Sequence, residues 1–390
     1  MKILVASDKF KGSLTAAEAC HAISSGLASG LASGLAAGLA AGFPSRCPSL
    51  DHEIRCLPIA DGGDGIARTL CDAAGGTWHE AEVTGPLGTP VRASFALIDD
   101  GRTAVIEMAT SSGLALLGES ANDPQRATTR GTGELILEAI KRGCEKIILG
   151  IGGSATNDGG VGMALALGYR FLDQTGATCT DLPEQLLQIV TIEAPLSRNF
   201  PKVTVACDVT NPLLGPHGCT RVYGPQKGIT PEAMEGHEKR LAHLVSLTGT
   251  KSEAASHLPG SGAAGGLGFG AIIFLDATLV PGFDLVSEVL ALEKAVQWAD
   301  LVITGEGRLD HQSLAGKGPS GVIALAKLHN KKTAAFCGSL DDPALSDVFG
   351  PIVEIRDPAL SLAQNLTAGS ERLRLAAEDF ATTLPLHESL

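Results

Sequence analysis

Short apolar runs bounded by glycine turns recur along the chain, and most of them precede a stretch with helical periodicity. Such runs predict buried parallel strands, and the stretches between them predict connecting helices. The pattern places strands over residues 2–6, 53–58, 146–149, 169–172, 202–207, 300–304, 332–337 and 352–355. The sequence therefore predicts an α/β protein.

The pattern changes after residue 77, where three strand-like segments are joined by short turns. Residues 78–83, 91–98 and 103–108 predict an antiparallel meander, because such turns leave no room for crossover helices. This change of character indicates a domain boundary near residue 78.

The alternation of strands and helices returns after residue 285. We therefore expect a doubly wound, Rossmann-like (flavodoxin-like) domain formed by residues 1–78 and 285–390, with a mixed α/β domain inserted over residues 79–284. The pattern of residues 125–168 would suit either domain.

Residues 26–42 repeat a four-residue unit that begins with Gly-Leu-Ala. Small residues four apart are a packing signal of membrane helices, so a membrane span is an alternative. Residues 22–43 hold five glycines and four serines against six large apolar side chains, which is too polar for insertion. We expect the repeat to lengthen the first helix or its following loop and to carry no chemistry.

Composition and charge argue against several classes of protein. The 390 residues carry a net charge of −13, which argues against a nucleic-acid surface. The nine cysteines include no Cys-x-x-Cys pair, so neither a disulfide framework nor a zinc site is expected. Because Met1-Lys2 leads directly into a strand, we expect no signal peptide, and hence a cytoplasmic protein.

Residues 150–160 form the motif around which the chain is organised, a glycine loop between a predicted strand and a predicted helix. Backbone N–H groups and a helix N-terminus at such a loop favour an anion. Gly152 and Gly153 would allow close approach, Ser154 and Asn157 add donors, and Asp158 adds a charge that could hold a metal ion. The alternative is an ordinary βα turn that binds nothing.

Other strand ends carry the same mixture of acids, lysines and glycines. The full set is Asp8, Lys9, Lys11, Asp61, Asp64, Asn157, Asp158, Asp208, Glu306, Asp310 and Lys317. Phosphoryl transfer requires this mixture, since it depends on positioning and on charge stabilisation. Helix capping, an Asx-turn or solvated lysines would explain individual members equally well, and Lys227 could bind phosphate or lie on the surface.

The common kinase signatures are absent. Gly316-Lys317 is followed by Gly318, so no P-loop motif is present, and no protein-kinase catalytic loop occurs. The Gly-x-Gly-x-x-Gly over residues 260–265 follows no clear strand, which disfavours a nicotinamide-dependent oxidoreductase.

These segments together resemble the type 1 glycerate kinases over the whole chain except the repeat at 26–42. The matching segments are residues 8–16, 58–65, 150–160, 206–213, 224–228, 259–268 and 304–310, with Gln312, Gly316 and Lys317. Two departures are Asp64, where the motif usually has Glu, and Cys219-Thr220 in place of smaller residues. Neither removes a charged group.

The resemblance implies phosphorylation of D-glycerate by ATP with Mg²⁺, usually to 2-phosphoglycerate, in a cleft between two α/β domains. As hypotheses, Asp208 or Asp61 orients the reacting hydroxyl and Lys9 assists catalysis. Substrate contacts are assigned to Lys11, Asp64, Asn211 and Arg308; phosphate or nucleotide contacts to Gly152, Gly153, Ser154, Asn157 and Lys317; metal contacts to Asp158 and Glu306.

Several alternatives stay open. The product could be 3-phosphoglycerate, the acceptor a related small hydroxy acid, or the protein a regulator that binds sugar acids without catalysis. We expect small-molecule partners, no nucleic acid and no membrane, and we leave open whether the chain forms a homodimer.

Overall fold

The computed structural model describes residues 1–40, 52–60, 65–118, 121–197, 199–310, 313 and 318–384, with residues 34–40 as backbone only. Three of the predicted site residues, Asp61, Asp64 and Lys317, lie outside these ranges. No helix in the ranges just given is long and apolar enough to cross a bilayer.

The structure contains each strand that the apolar pattern predicts, and it adds two strands, over residues 189–193 and 278–280, that the pattern did not predict. The strands are β1 (Lys2–Ser7), β2 (Glu53–Cys56), β3 (Thr77–Thr84), β4 (Pro90–Ile98), β5 (Thr103–Glu107), β6 (Lys146–Gly150), β7 (Arg170–Asp173), β8 (Ile189–Glu193), β9 (Lys202–Ala206), β10 (Thr278–Val280), β11 (Leu301–Leu309), β12 (Lys332–Leu340) and β13 (Ile352–Glu354). The helices are α1 (Ala16–Ala40), α2 (Ile66–Ala74), α3 (Ala109–Ser112), α4 (Arg130–Lys141), α5 (Val161–Ala166), α6 (Cys219–Tyr223), α7 (Pro231–Leu247), α8 (Thr250–Ser256), α9 (Ala263–Leu275), α10 (Gly282–Val289), α11 (Leu292–Trp298), α12 (Pro319–Leu328), α13 (Ser346–Phe349), α14 (Leu362–Thr367) and α15 (Gly369–Thr383). The predicted α/β class is confirmed.

The backbone contacts divide the chain into two compact units. Unit 1 comprises residues 1–61 and 286–390, and unit 2 comprises residues 62–285. The domain limits inferred from the sequence, with a boundary near residue 78, stay a proposal.

Unit 1 contains a five-stranded parallel sheet in the order β13-β12-β11-β1-β2. Ile3 and Val5 of β1 lie in one apolar cluster with residues of α1 and α15. On β12, Ala335 and Cys337 lie in another cluster with residues of α12 and α13. Helices therefore cover both faces of the sheet, which explains why its strands are apolar runs rather than alternating ones.

The glycine repeat at the end of α1 makes close helix packing possible. A Cβ atom on Gly26 would lie 2.0 Å from the carbonyl oxygen of Arg374, and one on Gly30 would lie 2.2 Å from that of Glu378. Only glycine fits such an approach, so this half of the repeat is the contact surface for α15. The prediction that the repeat lengthens the first helix is confirmed as far as Ala40.

Unit 2 contains a six-stranded mixed sheet in the order β10-β9-β6-β5-β4-β3. The strands β3, β4 and β5 form the predicted antiparallel meander, and β5, β6, β9 and β10 are parallel. Residues 125–168, which the sequence could not place, contribute β6 to the middle of this sheet. The strand predicted over 169–172 forms as β7, which pairs in antiparallel fashion with β8 in a separate two-stranded sheet.

Candidate functional site

The glycine loop after β6 has an exposed tip and a buried base. Gly152 and Ser154 are half-buried and Gly153 is exposed, whereas every residue from 155 to 160 is buried. The backbone N–H groups of Gly152 and Gly153 donate to no atom of the described ranges. The tip therefore offers the donors that an anion requires, and the base holds the tip in place.

Asp158 is fully buried and satisfies its oxygens within the protein. Its Oδ2 accepts hydrogen bonds from the backbone N–H and the hydroxyl of Thr129, both at 2.8 Å, and from the N–H of Gly162 at 3.3 Å. Its Oδ1 accepts from the N–H of Gly160 at 3.0 Å. Burial raises the pKa of Asp158, while these hydrogen bonds lower it. The metal role predicted for Asp158 stays a prediction, and this geometry favours a structural one.

Asn157 likewise points into the protein rather than towards the loop tip. Its amide nitrogen donates to the hydroxyl of Thr220 at 3.3 Å, and its Oδ1 lies 3.2 Å from Nδ1 of His237. Burial, and then the charge of Arg240, lowers the pKa of His237 to about 4, so this ring is neutral at pH 7. The phosphate contact predicted for Asn157 is untested, but its two polar atoms already have protein partners.

A second glycine segment packs against the base of the loop. The N–H of Gly159 donates to the carbonyl of Gly265 at 3.0 Å. Gly265 has a φ of +65°, and a Cβ atom there would lie 2.0 Å from the carbonyl oxygen of Thr156. This small-residue stretch begins α9 with a left-handed turn, and its glycines let two backbones touch.

The exposed tip borders a cavity of about 420 Å³, which we call the unit 2 cavity. Its lining residues come from the ends of β6 and β9, from the segment around α6 and from the start of α9. They are Leu114, Ile151, Gly152, Gly153, Ser154, Ala206, Cys207, Asp208, Val209, Tyr223, Gln226, Lys227, Ala263 and Ala264. The parallel strands of a sheet direct their carboxyl ends to one edge, which is why these separate turns meet there.

Lys227 brings a cation to this cavity although it is only 2% exposed. Its Nζ donates to Ser154 Oγ at 2.7 Å and to the carbonyl oxygen of Thr156 at 2.8 Å. Burial lowers the pKa of Lys227 to about 8, partly offset by Cys219 and Asp158. The interpretation of Lys227 as a surface lysine is therefore wrong.

Asp208 follows β9 and is half-buried at the same cavity. Its Oδ1 accepts from the N–H of Gly282 at 2.9 Å, at the start of α10. Nearby, Asn211 donates to the carbonyl of His217 at 2.9 Å and accepts from the hydroxyl of Tyr223 at 2.7 Å. The substrate contact predicted for Asn211 is untested, and its side chain already orders this turn.

The remaining predicted residues lie in unit 1. Ser7 of β1 pairs with Gly305 of β11. The next residues, Asp8 and Glu306, therefore occupy neighbouring backbone positions. Lys9 is half-buried, and Lys11 is exposed beside a separate cavity of about 260 Å³. This unit therefore gathers cations and acids at the carboxyl ends of β1 and β11.

Arg308 also lies in unit 1 and is engaged by acids. Its Nε donates to both carboxylate oxygens of Asp341 at 3.1 Å, and it lies 3.7 Å from Asp310. The substrate contact predicted for Arg308 stays a prediction. No group of three His, Cys, Asp or Glu side chains suited to a metal ion occurs where the structure is described.

Sequence reasoning missed Tyr223, Gln226 and Cys207 as cavity residues and left Lys227 undecided. Tyr223 lies four residues before Lys227 and Gln226 directly before it, in a segment whose sequence shows no strand or helix periodicity. The one available signal was the lysine within Gly-Pro-Gln-Lys-Gly, and a sequence pattern does not show burial.

Known proteins resemble this chain over nearly its full length. The family model described as "Glycerate kinase family" matches residues 3–385. Glycerate kinase of Bacillus subtilis (strain 168) is 41% identical over 100% of this chain and 99% of that protein. Glycerate 2-kinase of Escherichia coli (strain K12) is also 41% identical, over 88% of this chain and 86% of that protein. A crystal structure of a protein named glycerate kinase 2 from Salmonella typhimurium LT2 has a TM-score of 0.83 and 38% identity, with 98% of each chain covered.

Proposed function

Because the chain belongs to the glycerate kinase family, and is thus a glycerate-phosphorylating enzyme, we propose that it transfers the γ-phosphoryl group of ATP to the 2-hydroxyl of D-glycerate with the help of Mg²⁺. The observation that carries this proposal is the unit 2 cavity. There, backbone N–H groups that have no acceptor among the described residues border one space with a carboxylate and a buried lysine. Binding and activating a hydroxy acid requires these groups together.

In this proposal Asp208 acts on the substrate hydroxyl. A half-buried carboxylate can accept the hydroxyl proton as the phosphoryl group arrives, and the hydrogen bond from Gly282 holds it in one orientation. Asp61, which lies outside the described ranges, stays the alternative for this role.

The anionic groups of the substrates are assigned to the loop tip and to Lys227. The N–H groups of Gly152 and Gly153 and the hydroxyl of Ser154 would bind phosphoryl oxygens, while the Lys227 ammonium attracts negative charge to the cavity. Lys9 and Lys317 are proposed as further phosphate or carboxylate contacts.

The residues present are compatible with Mg²⁺ bound mainly by the nucleotide. Proteins commonly hold this ion through one or two carboxylates together with substrate phosphates and water. Glu306 suits this role in the C-terminal half of β11, with Asp8 at the end of the neighbouring strand β1. Bound there, the ion would neutralise charge that develops on the phosphate oxygens.

The strand order of unit 1 supports a finer description of its fold. Numbered within the unit, its strands run 2-1-3-4-5, all parallel, and we propose that it is a doubly wound, flavodoxin-like domain. In that fold, ligands bind where the strand order reverses, which here is between β1 and β11.

A cytoplasmic location and a homodimer stay proposals that these features do not test.

Incubation of the chain with ATP, Mg²⁺ and D-glycerate, followed by phosphorus NMR, tests the function directly. We expect 2-phosphoglycerate, formed only when all three are present, and no product from L-glycerate. A 3-phosphoglycerate resonance would overturn the proposed position of transfer. Binding of D-glycerate without any phosphorylated product would favour the regulator instead.

Asp208→Asn is the matched variant for the proposed base. It keeps the shape of the side chain but cannot take up a proton, so we expect kcat to fall about 10²–10⁴-fold with a smaller change in KM. Unchanged turnover would remove Asp208 from this role.

A further inference from the structure

The cavity of about 260 Å³ in unit 1 has no assigned ligand, and we call it the unit 1 cavity. It lies at the carboxyl ends of β11 and β12, beside the loop that follows β1. Phe10, Ile355, Leu362 and Leu366 form apolar parts of its wall. Leu362, at the start of α14, is 74% exposed.

The polar side chains in this wall are mostly engaged within the protein. The amide of Asn365 donates to the carbonyls of Asp357 and Leu360, and its Oδ1 accepts from the N–H of Asp357. The hydroxyl of Ser13 donates to the carbonyl of Leu366 at 2.6 Å. The interior therefore presents hydrocarbon surface and few hydrogen-bonding groups to a ligand.

Two cations border this apolar space. Lys11 and Arg356 both line the cavity and are exposed. Neither forms an ion pair with any residue in the described part of the chain. In a protein of net charge −13, two uncompensated cations beside an apolar cavity indicate a ligand that joins a hydrophobic body to an anion.

We propose that the unit 1 cavity binds the adenine and ribose of the nucleotide substrate, with Lys11 and Arg356 contacting its phosphates. This inference rests on the proposed function, which requires a nucleotide. D-glycerate has too little apolar surface to gain from such a wall, whereas a purine ring does. Gly307 and Gly338 contribute only backbone to the cavity wall. A Cβ atom on Gly338 would lie 2.3 Å from the carbonyl oxygen of Gly307, so the two strands pack closely there.

Ser339→Trp tests the apolar half of the proposal, because Ser339 lines the cavity and an indole there would occupy the space of the base. We expect the Kd for ATP, and for adenosine, to rise at least tenfold in calorimetric titrations of the full chain. Unchanged affinity for both would overturn the assignment.

The double variant Lys11→Met and Arg356→Met tests the cations. We expect ATP to bind about three- to tenfold more weakly and adenosine, which lacks phosphate, to bind as in the unmodified chain. Lys294→Met, which removes an exposed lysine of α11 away from the cavity, is the matched control and should change neither affinity.

Photolabelling with 8-azido-ATP tests the location without any substitution and so does not depend on a variant folding. We expect the label on residues 355–369 or 10–13, with adenosine preventing it. If the unmodified chain phosphorylates D-glycerate but the label falls only in unit 2, the cavity assignment is wrong and the kinase function stands. If the label falls in the cavity but no glycerate is phosphorylated, the cavity assignment stands and the proposed function fails.

Discussion

Lys227 carries its charge in a place that water hardly reaches. A buried ammonium is stable only with good acceptors, and here Ser154 Oγ and the carbonyl of Thr156 provide them. The same two bonds fix the loop tip relative to the cavity. Lys227 therefore has two roles: it holds the loop in position, and it supplies positive charge to an anionic substrate in the cavity.

We expect kcat/KM for D-glycerate to fall about tenfold per pH unit above pH 8. Burial lowers the pKa of Lys227 to about 8, so the cationic form predominates below that pH and the neutral amine above it. Initial rates across pH 6–10 measure this directly.

Lys227→Met should lose this alkaline limb and show a lower, flat profile. Lys239→Met, at an exposed position of α7, should keep the limb. An unaltered limb in Lys227→Met would assign the titration to another group.

Asp158 allows the structural and metal roles to be separated. Asp158→Asn places an NH₂ group against backbone N–H donors, so we expect a loss of about 1–3 kcal/mol of stability. The melting temperature should fall by about 2–4 °C for each kcal/mol, with or without Mg²⁺.

Asp379→Asn, an exposed position of α15, is the control and should leave the melting temperature unchanged. If Asp158 instead binds the metal, the variant would keep its stability in the absence of Mg²⁺ and require more Mg²⁺ for activity.

At the scale of elements, the contact between α1 and α15 explains why a helix can contain a glycine at every fourth position. Each glycine weakens an isolated helix by about 1 kcal/mol relative to alanine. The close approach of Gly26 and Gly30 to the backbone of α15 offsets this, because it brings two helices of unit 1 into direct contact.

Two glycine-to-alanine variants should therefore change stability in opposite directions. Gly30→Ala introduces a Cβ atom 2.2 Å from a backbone oxygen, so we expect destabilisation of about 1–3 kcal/mol. Gly236→Ala, in α7 with nothing within 4 Å of the added atom, should stabilise by about 0.5–1 kcal/mol. Urea unfolding of both variants measures the difference, and equal effects would contradict the packing role of the repeat.

At the scale of the whole molecule, local sequence patterns predicted the strands and helices better than they predicted which strands pair with each other. Buried apolar runs identified β1, β6, β9 and β11, because a strand covered on both faces must be apolar throughout. The segment that became β7 was also predicted as a strand, yet it joins a separate hairpin. Which strand pairs with which depends on contacts that no local window contains.

The candidate site shows the same limit. The sequence located the loop at Gly152 and the acid at Asp208, since both follow predicted strands. It could not show that the carboxylate of Asp158 accepts hydrogen bonds from backbone N–H groups. An aspartate in a glycine turn can cap a helix or bind a metal ion, and the sequence does not distinguish the two roles. Nor could it show the burial of Lys227, which depends on packing between segments far apart in sequence.

The arrangement of unit 1 bears on how a nascent chain reaches its final form. Its sheet pairs β1 with β2 inside the first sixty residues, but β1 also pairs with β11 and α1 packs against α15. These two partners become available only after residue 285 has been made. At about 5–20 residues per second, that wait lasts on the order of tens of seconds. Unit 2, whose last residue is 285, can begin to fold on the ribosome in the meantime.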